Sequence, residues 1–392
     1  MALLTIGTAI AAAPANDTDG RVSAFYTWTG ALTTPGRMLR EEPLEAPLGL
    51  AAAGRQYRIL YSATDGLRGH GLVAVSGALF VPPGTPPKGG WPLLAWAHGT
   101  VGIADVCAPS WTVRSYRDAS YLDAWLRQGF AIIATDYQGL GTPGTHPYMD
   151  ARVEAYSVLD SIRAAQRAHP ELARQAILIG QSQGAAAAFA SAAYAPEYVP
   201  HLTILGTIAT GTPYLAPNAM AAASKHDPDE VRPQFAYTAF LVLAANAQSA
   251  TPIDLASLFN PKARAIVEEA RGACIAQMEA DAVNAGITDR SAYRGSLMQA
   301  IGPYAKGFLY PTLKLAQPLF MGIGAKDVDA TTASQLMLAH DACAAGSTVQ
   351  AHLYAGLDHN ATVNGSLKDS VPFARRLLAG EKTAPVCTPT TN

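Results

Sequence analysis

Short apolar runs recur along the chain and alternate with segments of helical period. Residues 91–97, 129–135, 176–179, 202–208 and 318–323 are nearly unbroken apolar stretches, and the strand rhythm finishes at 349–354. Runs of this length without alternation read as strands buried on both faces of a parallel sheet. Between them, 121–127, 151–169, 185–193 and 331–344 read as helices. In 151–169 the residues Val153, Tyr156, Val158, Leu159 and Ile162 share one face. Residues 55–64 and 71–81 alternate apolar with polar and run into Pro82-Pro83-Gly84, as antiparallel strands at a sheet edge do. Residues 16–54, with Pro35, Pro43 and Pro47, read as an irregular N-terminal arm.

The alternation predicts an α/β fold, a mostly parallel sheet with helices on both faces. The strand rhythm stops between residues 213 and 314, where 235–247, 261–285 and 291–301 are helical in pattern. That block reads as a helical cap inserted between the late strands, dividing the core into 16–212 and 315–392. Long insertions of this kind usually serve the site they cover.

Composition narrows the classes. Hydrophobic residues make up 49% and charged residues 15%, so a large core is expected. The net charge of −2, without basic blocks, gives no sign of nucleic acid as a partner. No apolar run reaches the length of a membrane span. Residues 1–15 are apolar and end in Ala11-Ala12-Ala13-Pro14-Ala15, which reads as the remnant of a secretory signal. The alanine-rich composition suggests a bacterial protein that is secreted or periplasmic. Cys107, Cys274, Cys343 and Cys387 form no C-x-x-C pair and have no histidine cluster beside them. Two disulfides, in any of three pairings, are therefore expected rather than a zinc site.

The chemistry centres on Gly180-Gln181-Ser182-Gln183-Gly184, which follows an apolar strand and opens an alanine-rich helix. In that setting the glycines permit a sharp strand-to-helix turn with the serine at its apex. A serine hydroxyl needs a histidine to take its proton and a carboxylate to hold that histidine. The order serine, acid, histidine predicts both partners downstream, each just after a strand. Asp327 and Asp329 follow the 318–323 strand, and Asp327, in a G-x-x-D turn, is the better candidate. Asp329 suits the N-cap of the next helix. His359 follows the last strand, whereas His340 falls in a helix and His352 in a strand. Two backbone donors are expected for an oxyanion: the N–H of Gln183 and that of Thr100, in His98-Gly99-Thr100 after the 91–97 strand. His98 and Asp136 read as loop-bracing residues.

His98-Gly99-Thr100, Asp136-Tyr137-Gln138-Gly139-Leu140-Gly141, the serine motif, Gly324-Ala325-Lys326-Asp327 and Gly356-Leu357-Asp358-His359 together resemble the secretory lipase family of α/β-hydrolases. Gln181 and Gln183 beside the serine are similar to bacterial members. The resemblance implies an α/β-hydrolase fold, a Ser182–Asp327–His359 triad and a cap over the acyl site. It also implies the pairs Cys107–Cys274 and Cys343–Cys387. Tyr137, Phe235 and Phe240 are the candidate substrate-contacting aromatics. The expected activity is carboxylic ester hydrolysis through an acyl-enzyme, on a small-molecule or lipid ester, with no metal or organic cofactor. The cap is expected to meet a lipid–water interface. Amide hydrolysis or acyl transfer by the same triad is the alternative, and a non-catalytic binding protein on this scaffold a distant one.

Overall fold

The structure, a computed structural model, describes residues 21–223 and 227–391. The signal-like stretch at 1–15 lies outside the described residues. The strands are β1 (Met38–Pro43), β2 (Arg55–Thr64), β3 (Leu72–Val81), β4 (Trp91–Ala97), β5 (Ala131–Thr135), β6 (Leu172–Gln181), β7 (Thr203–Thr210), β8 (Leu319–Gly324) and β9 (Val349–Tyr354). They form one nine-stranded sheet in the order β1-β2-β3-β5-β4-β6-β7-β8-β9. Pairing is antiparallel from β1 to β5 through β2 and β3, and parallel from β5 through β4 to β9.

The helices outside the insertion are α1 (Tyr116–Arg127), α2 (Ala151–Ala168) and α3 (Gln183–Tyr198), then α11 (Thr332–Ala344), α12 (Ala361–Gly365) and α13 (Leu367–Leu378). Those inserted between β7 and β8 are α4 (Pro217–Ala223), α5 (Phe235–Gln248), α6 (Leu255–Leu258), α7 (Pro261–Glu269), α8 (Ile275–Asn284), α9 (Asp289–Ala292) and α10 (Leu297–Ala305).

Successive strand residues face opposite sides. Leu93, Ala95, Ile133 and Leu178 pack into one core with the alanine face of α3. Leu94, Trp96, Ile132, Ile177 and Ile179 pack into the other, with Trp125 of α1 and Phe373 of α13. The inserted helices hold a third core built on Phe235, Phe240, Phe259 and Met278.

The differences from the sequence reading have local causes. The N-terminal arm contains β1, whose Arg40, Glu41 and Glu42 give an edge strand no apolar rhythm. The 261–285 segment is two helices, broken at 270–274 where Cys274 is tied to Cys107. Helix α13, which the pattern reading missed, buries only Ser370, Phe373, Ala374 and Leu377, and Pro372 sits inside it.

Candidate active site

The register aligns the carboxyl ends of the central strands. Ala97 pairs with Gly180 and Thr135, Gly180 with Ala209, and Thr210 with Gln181 and Gly322. The residues just past these ends gather on one edge, where open α/β sheets place their ligands.

Ser182 stands between β6 and α3 at φ 56°, ψ −123°, a strained backbone for a residue with a side chain. Its N–H donates to the Thr210 carbonyl (2.9 Å). The flanking glycines are sterically required. A Cβ on Gly180 would lie 2.0 Å from the Gly184 carbonyl oxygen, and one on Gly184 would lie 1.9 Å from that of Ala97.

His359 Nδ1 lies 2.7 Å from Asp327 Oδ2, and both side chains are buried. A carboxylate only accepts, so Nδ1 carries the hydrogen and Nε2 presents a lone pair. Asp327 is fixed from several sides. Its Oδ1 accepts the N–H groups of Asp329 and Ala330 (3.0 Å each), and Oδ2 also accepts from Gln335 Nε2 (2.8 Å). Asp329 instead accepts from Gln234 at the start of α5 (2.9 Å). On the other side of the imidazole stands Gly211, at φ +62°. A Cβ there would lie 2.8 Å from His359 Cε1 and 2.9 Å from Nδ1. Gln181 Nε2 lies 3.0 Å from His359 Nε2, so this amide engages the lone pair in the free protein.

Gln183 opens α3, where N–H groups have no partner inside the helix. Its side chain is buried below the turn. Gln183 Nε2 donates to Glu154 Oε1 (2.8 Å) and lies 3.0 Å from His146 Nε2. His146 Nδ1 is 3.0 Å from the Gln138 carbonyl, which only accepts. Nδ1 is therefore the protonated nitrogen of a neutral ring, and Nε2 accepts from Gln183. Burial pushes His146 down to about 4 and Glu154 up to about 8. Glu154 Oε1 also accepts from the N–H of Met149 (3.0 Å), a residue held at φ 67°. Thr100, in the loop after β4, faces the same cleft as Ser182, and its Oγ1 lies 2.7 Å from the Tyr148 hydroxyl.

A cavity of about 440 Å³ opens beside Ser182 and His359, walled by Thr100, Thr112, Arg117, Tyr237, Ile275 and Glu279. The Cys107–Cys274 disulfide is part of its wall and joins the loop after β4 to α8. Cys343–Cys387 fastens the C-terminal segment to α11. Of the three candidate aromatics, none lines this cavity. Tyr137 is fully buried between His98 and His146 and donates to the His98 carbonyl (2.9 Å). Phe235 and Phe240 fill the core of the inserted helices. Tyr237, two positions on from Phe235, is the α5 aromatic that reaches the cavity. Asp136 accepts from Ser76 Oγ (2.7 Å) and from both the N–H (3.1 Å) and the Oγ of Ser110, bracing the loop that leads into the cavity wall. Asp327, Asp329 and His359 bring ligand-type atoms within 4.8 Å of one another, but two of these groups are spent on their mutual hydrogen bond.

Among the described residues, no helix is long and apolar enough to cross a membrane. Residues 105–296 match the family model described as secretory lipase. The chain is 27% identical over 240 residues to Lipase A of Moesziomyces aphidis, an alignment spanning 55% of this chain and 50% of that one. It thus spans about half the length of that curated relative. In structure it is similar to Candida antarctica lipase A in its closed state, with a TM-score of 0.74 and 18% identity over 94% of this chain and 89% of that one. It is also similar to a ligand-bound form of the rice cell wall degrading esterase LipA from Xanthomonas oryzae, with a TM-score of 0.65 and 19% identity over 89% and 100% of the two chains. The fold is that of the lipase α/β-hydrolases. With that fold and the family match over 105–296, the chain is similar to the secretory lipases.

Proposed function

We propose that the protein hydrolyses carboxylic esters through an acyl-enzyme on Ser182. The observation that carries this reading is the buried His359–Asp327 hydrogen bond (2.7 Å) beside a serine at a strained strand-to-helix turn. Ser182 takes over the Nε2 lone pair from the Gln181 amide, and His359 accepts its proton as Oγ attacks the ester carbonyl. Asp327 holds the ring with Nε2 outward and stabilises the imidazolium. The N–H groups of Gln183 and Thr100 receive the oxyanion. His359 returns its proton to the departing alcohol, then activates water to release the acid. No step calls for a metal or an organic cofactor.

The inserted helices act as the cap. They contribute Tyr237, Ile275 and Glu279 to the cavity, so they set which ester fits. The mixed wall, apolar at Ile275 and polar at Arg117 and Glu279, suits a small-molecule ester at least as well as a lipid. The disulfides and the family match support a secreted or periplasmic protein. Incubation with a fluorophosphonate followed by peptide mass mapping tests the nucleophile. A stoichiometric adduct on Ser182 supports the reading, and an adduct elsewhere or none overturns it.

A further inference from the structure

We propose that the Thr100 hydroxyl is a third oxyanion donor, aimed by Tyr148. This rests on the ester-hydrolase reading and adds a side-chain donor to its two backbone ones. Thr100 Oγ1 and the Tyr148 hydroxyl are 2.7 Å apart, so one of them donates. Tyr148 is buried, while Thr100 is half-exposed on the cavity that holds Ser182. A phenol is the stronger acid of the two and the better donor, so the hydrogen between them comes from Tyr148. Thr100 then keeps its own hydroxyl hydrogen, and the open side of the residue is the cavity. A hydroxyl that already accepts one hydrogen bond is polarised toward donating the next.

Tyr148 is unusually well held for a loop residue. Tyr304 of α10 donates its hydroxyl to the Tyr148 carbonyl (2.5 Å). The ring meets Phe240 of α5 edge-on, with centroids 5.9 Å apart, and meets His146 at 6.3 Å. Next along the chain, Met149 is pinned through its N–H to Glu154, the carboxyl that also holds the Gln183 side chain. One short segment therefore supports both sides of the oxyanion site. His146 and Glu154 seat Gln183, and Tyr148 seats Thr100. Two of its supports, Phe240 and Tyr304, belong to the inserted helices, so the cap reaches the reacting atoms through Tyr148. In this scheme Thr100 is a catalytic residue and Tyr148 a positioning residue.

The test is steady-state hydrolysis of p-nitrophenyl butyrate by the full chain, comparing Tyr148→Phe, Thr100→Val, Thr100→Ser and the Tyr148→Phe/Thr100→Val double variant, with Ser182→Ala beside them. Losing one oxyanion donor lowers kcat by about 100-fold in Thr100→Val, with KM within about twofold. Tyr148→Phe, which only frees the hydroxyl to turn, lowers kcat about tenfold, again without moving KM. Thr100→Ser recovers at least about tenfold over Thr100→Val, and the double variant matches Thr100→Val alone. Melting curves that superpose within a few degrees separate these losses from unfolding. Losses that multiply in the double variant, or kcat within about twofold of wild type in Tyr148→Phe or Thr100→Val, overturn the proposal. Activity retained in Ser182→Ala instead overturns the ester-hydrolase reading beneath it.

Discussion

Replacing Gly211 by alanine tests the geometry of the imidazole without replacing any proposed reacting group. The new Cβ would stand 2.8 Å from His359 Cε1, where ordinary contact begins at 3.4 Å, so one partner must give by about 0.6 Å. Backbone yields little there, because Gly211 N is bonded to the Gly322 carbonyl (3.0 Å) within the sheet edge. The ring therefore moves, and a 1 Å misplacement at a reacting group costs about 100-fold. A fall in kcat of about 10- to 100-fold is expected, with KM little changed. The φ of +62° adds about 1–2 kcal/mol of backbone strain, seen as a melting temperature lower by a few degrees. Gly302→Ala in α10 is the control, since a Cβ there meets nothing within 4 Å. It should leave turnover alone and change stability little, because Pro303 next in the helix offsets the gain an alanine would bring. Wild-type kcat in Gly211→Ala, with the strain visible in the melting curve, would refute the packing argument.

Asp327→Asn should lower kcat about 10⁴-fold by favouring the wrong tautomer of His359, whereas Asp329→Asn, bonded to Gln234, should stay within about tenfold; p-nitrophenyl ester kinetics distinguish the two. Glu154 ionises near 4.5 when unfolded but at about 8 when folded, so the unfolded chain releases its proton first and stability falls as pH rises from 4.5 to 8. Glu154→Gln keeps the oxygen that accepts from Gln183 and removes this fall, so its stability relative to wild type should grow by up to about 5 kcal/mol across that window in urea titrations; a constant difference would contradict it. Removing Cys343–Cys387 should cost about 4 kcal/mol of stability but little activity, whereas removing Cys107–Cys274 should cost about 5 kcal/mol and turnover as well, because that bridge walls the cavity.

The parts of the site that a sequence shows are those with a local chemical signature. The glycines around Ser182 announce a turn that only they can make, and His359 and Asp327 each stand at a strand end that the apolar rhythm predicts. The parts it hides are those set by distant packing. Gly211 is one glycine among many until the sheet brings it against His359. Gln335 and Tyr148 carry no motif, and their roles depend on which helix or loop faces them. Tyr137 sits in a distinctive run, yet its φ of 71° turns the ring inward between two histidines. In α5 the apolar character is nearly uniform, so periodicity cannot tell Tyr237, which reaches the cavity, from Phe235, which does not. Strand β1 was hidden because none of its side chains is fully buried, and helix α13 because Pro372 interrupts a stretch whose Ser370, Phe373, Ala374 and Leu377 do fall at helical spacing.

The proposed chemistry stands or falls on Ser182 as the nucleophile of an ester hydrolase. The most direct measurement is hydrolysis of p-nitrophenyl esters from acetyl to palmitoyl by wild type and Ser182→Ala side by side. Wild type should turn these esters over, with a chain-length optimum set by the cavity, and a folded Ser182→Ala should lose about 10³- to 10⁶-fold. Equal turnover by the two proteins, or faster cleavage of matched amides than of esters by wild type, would contradict it.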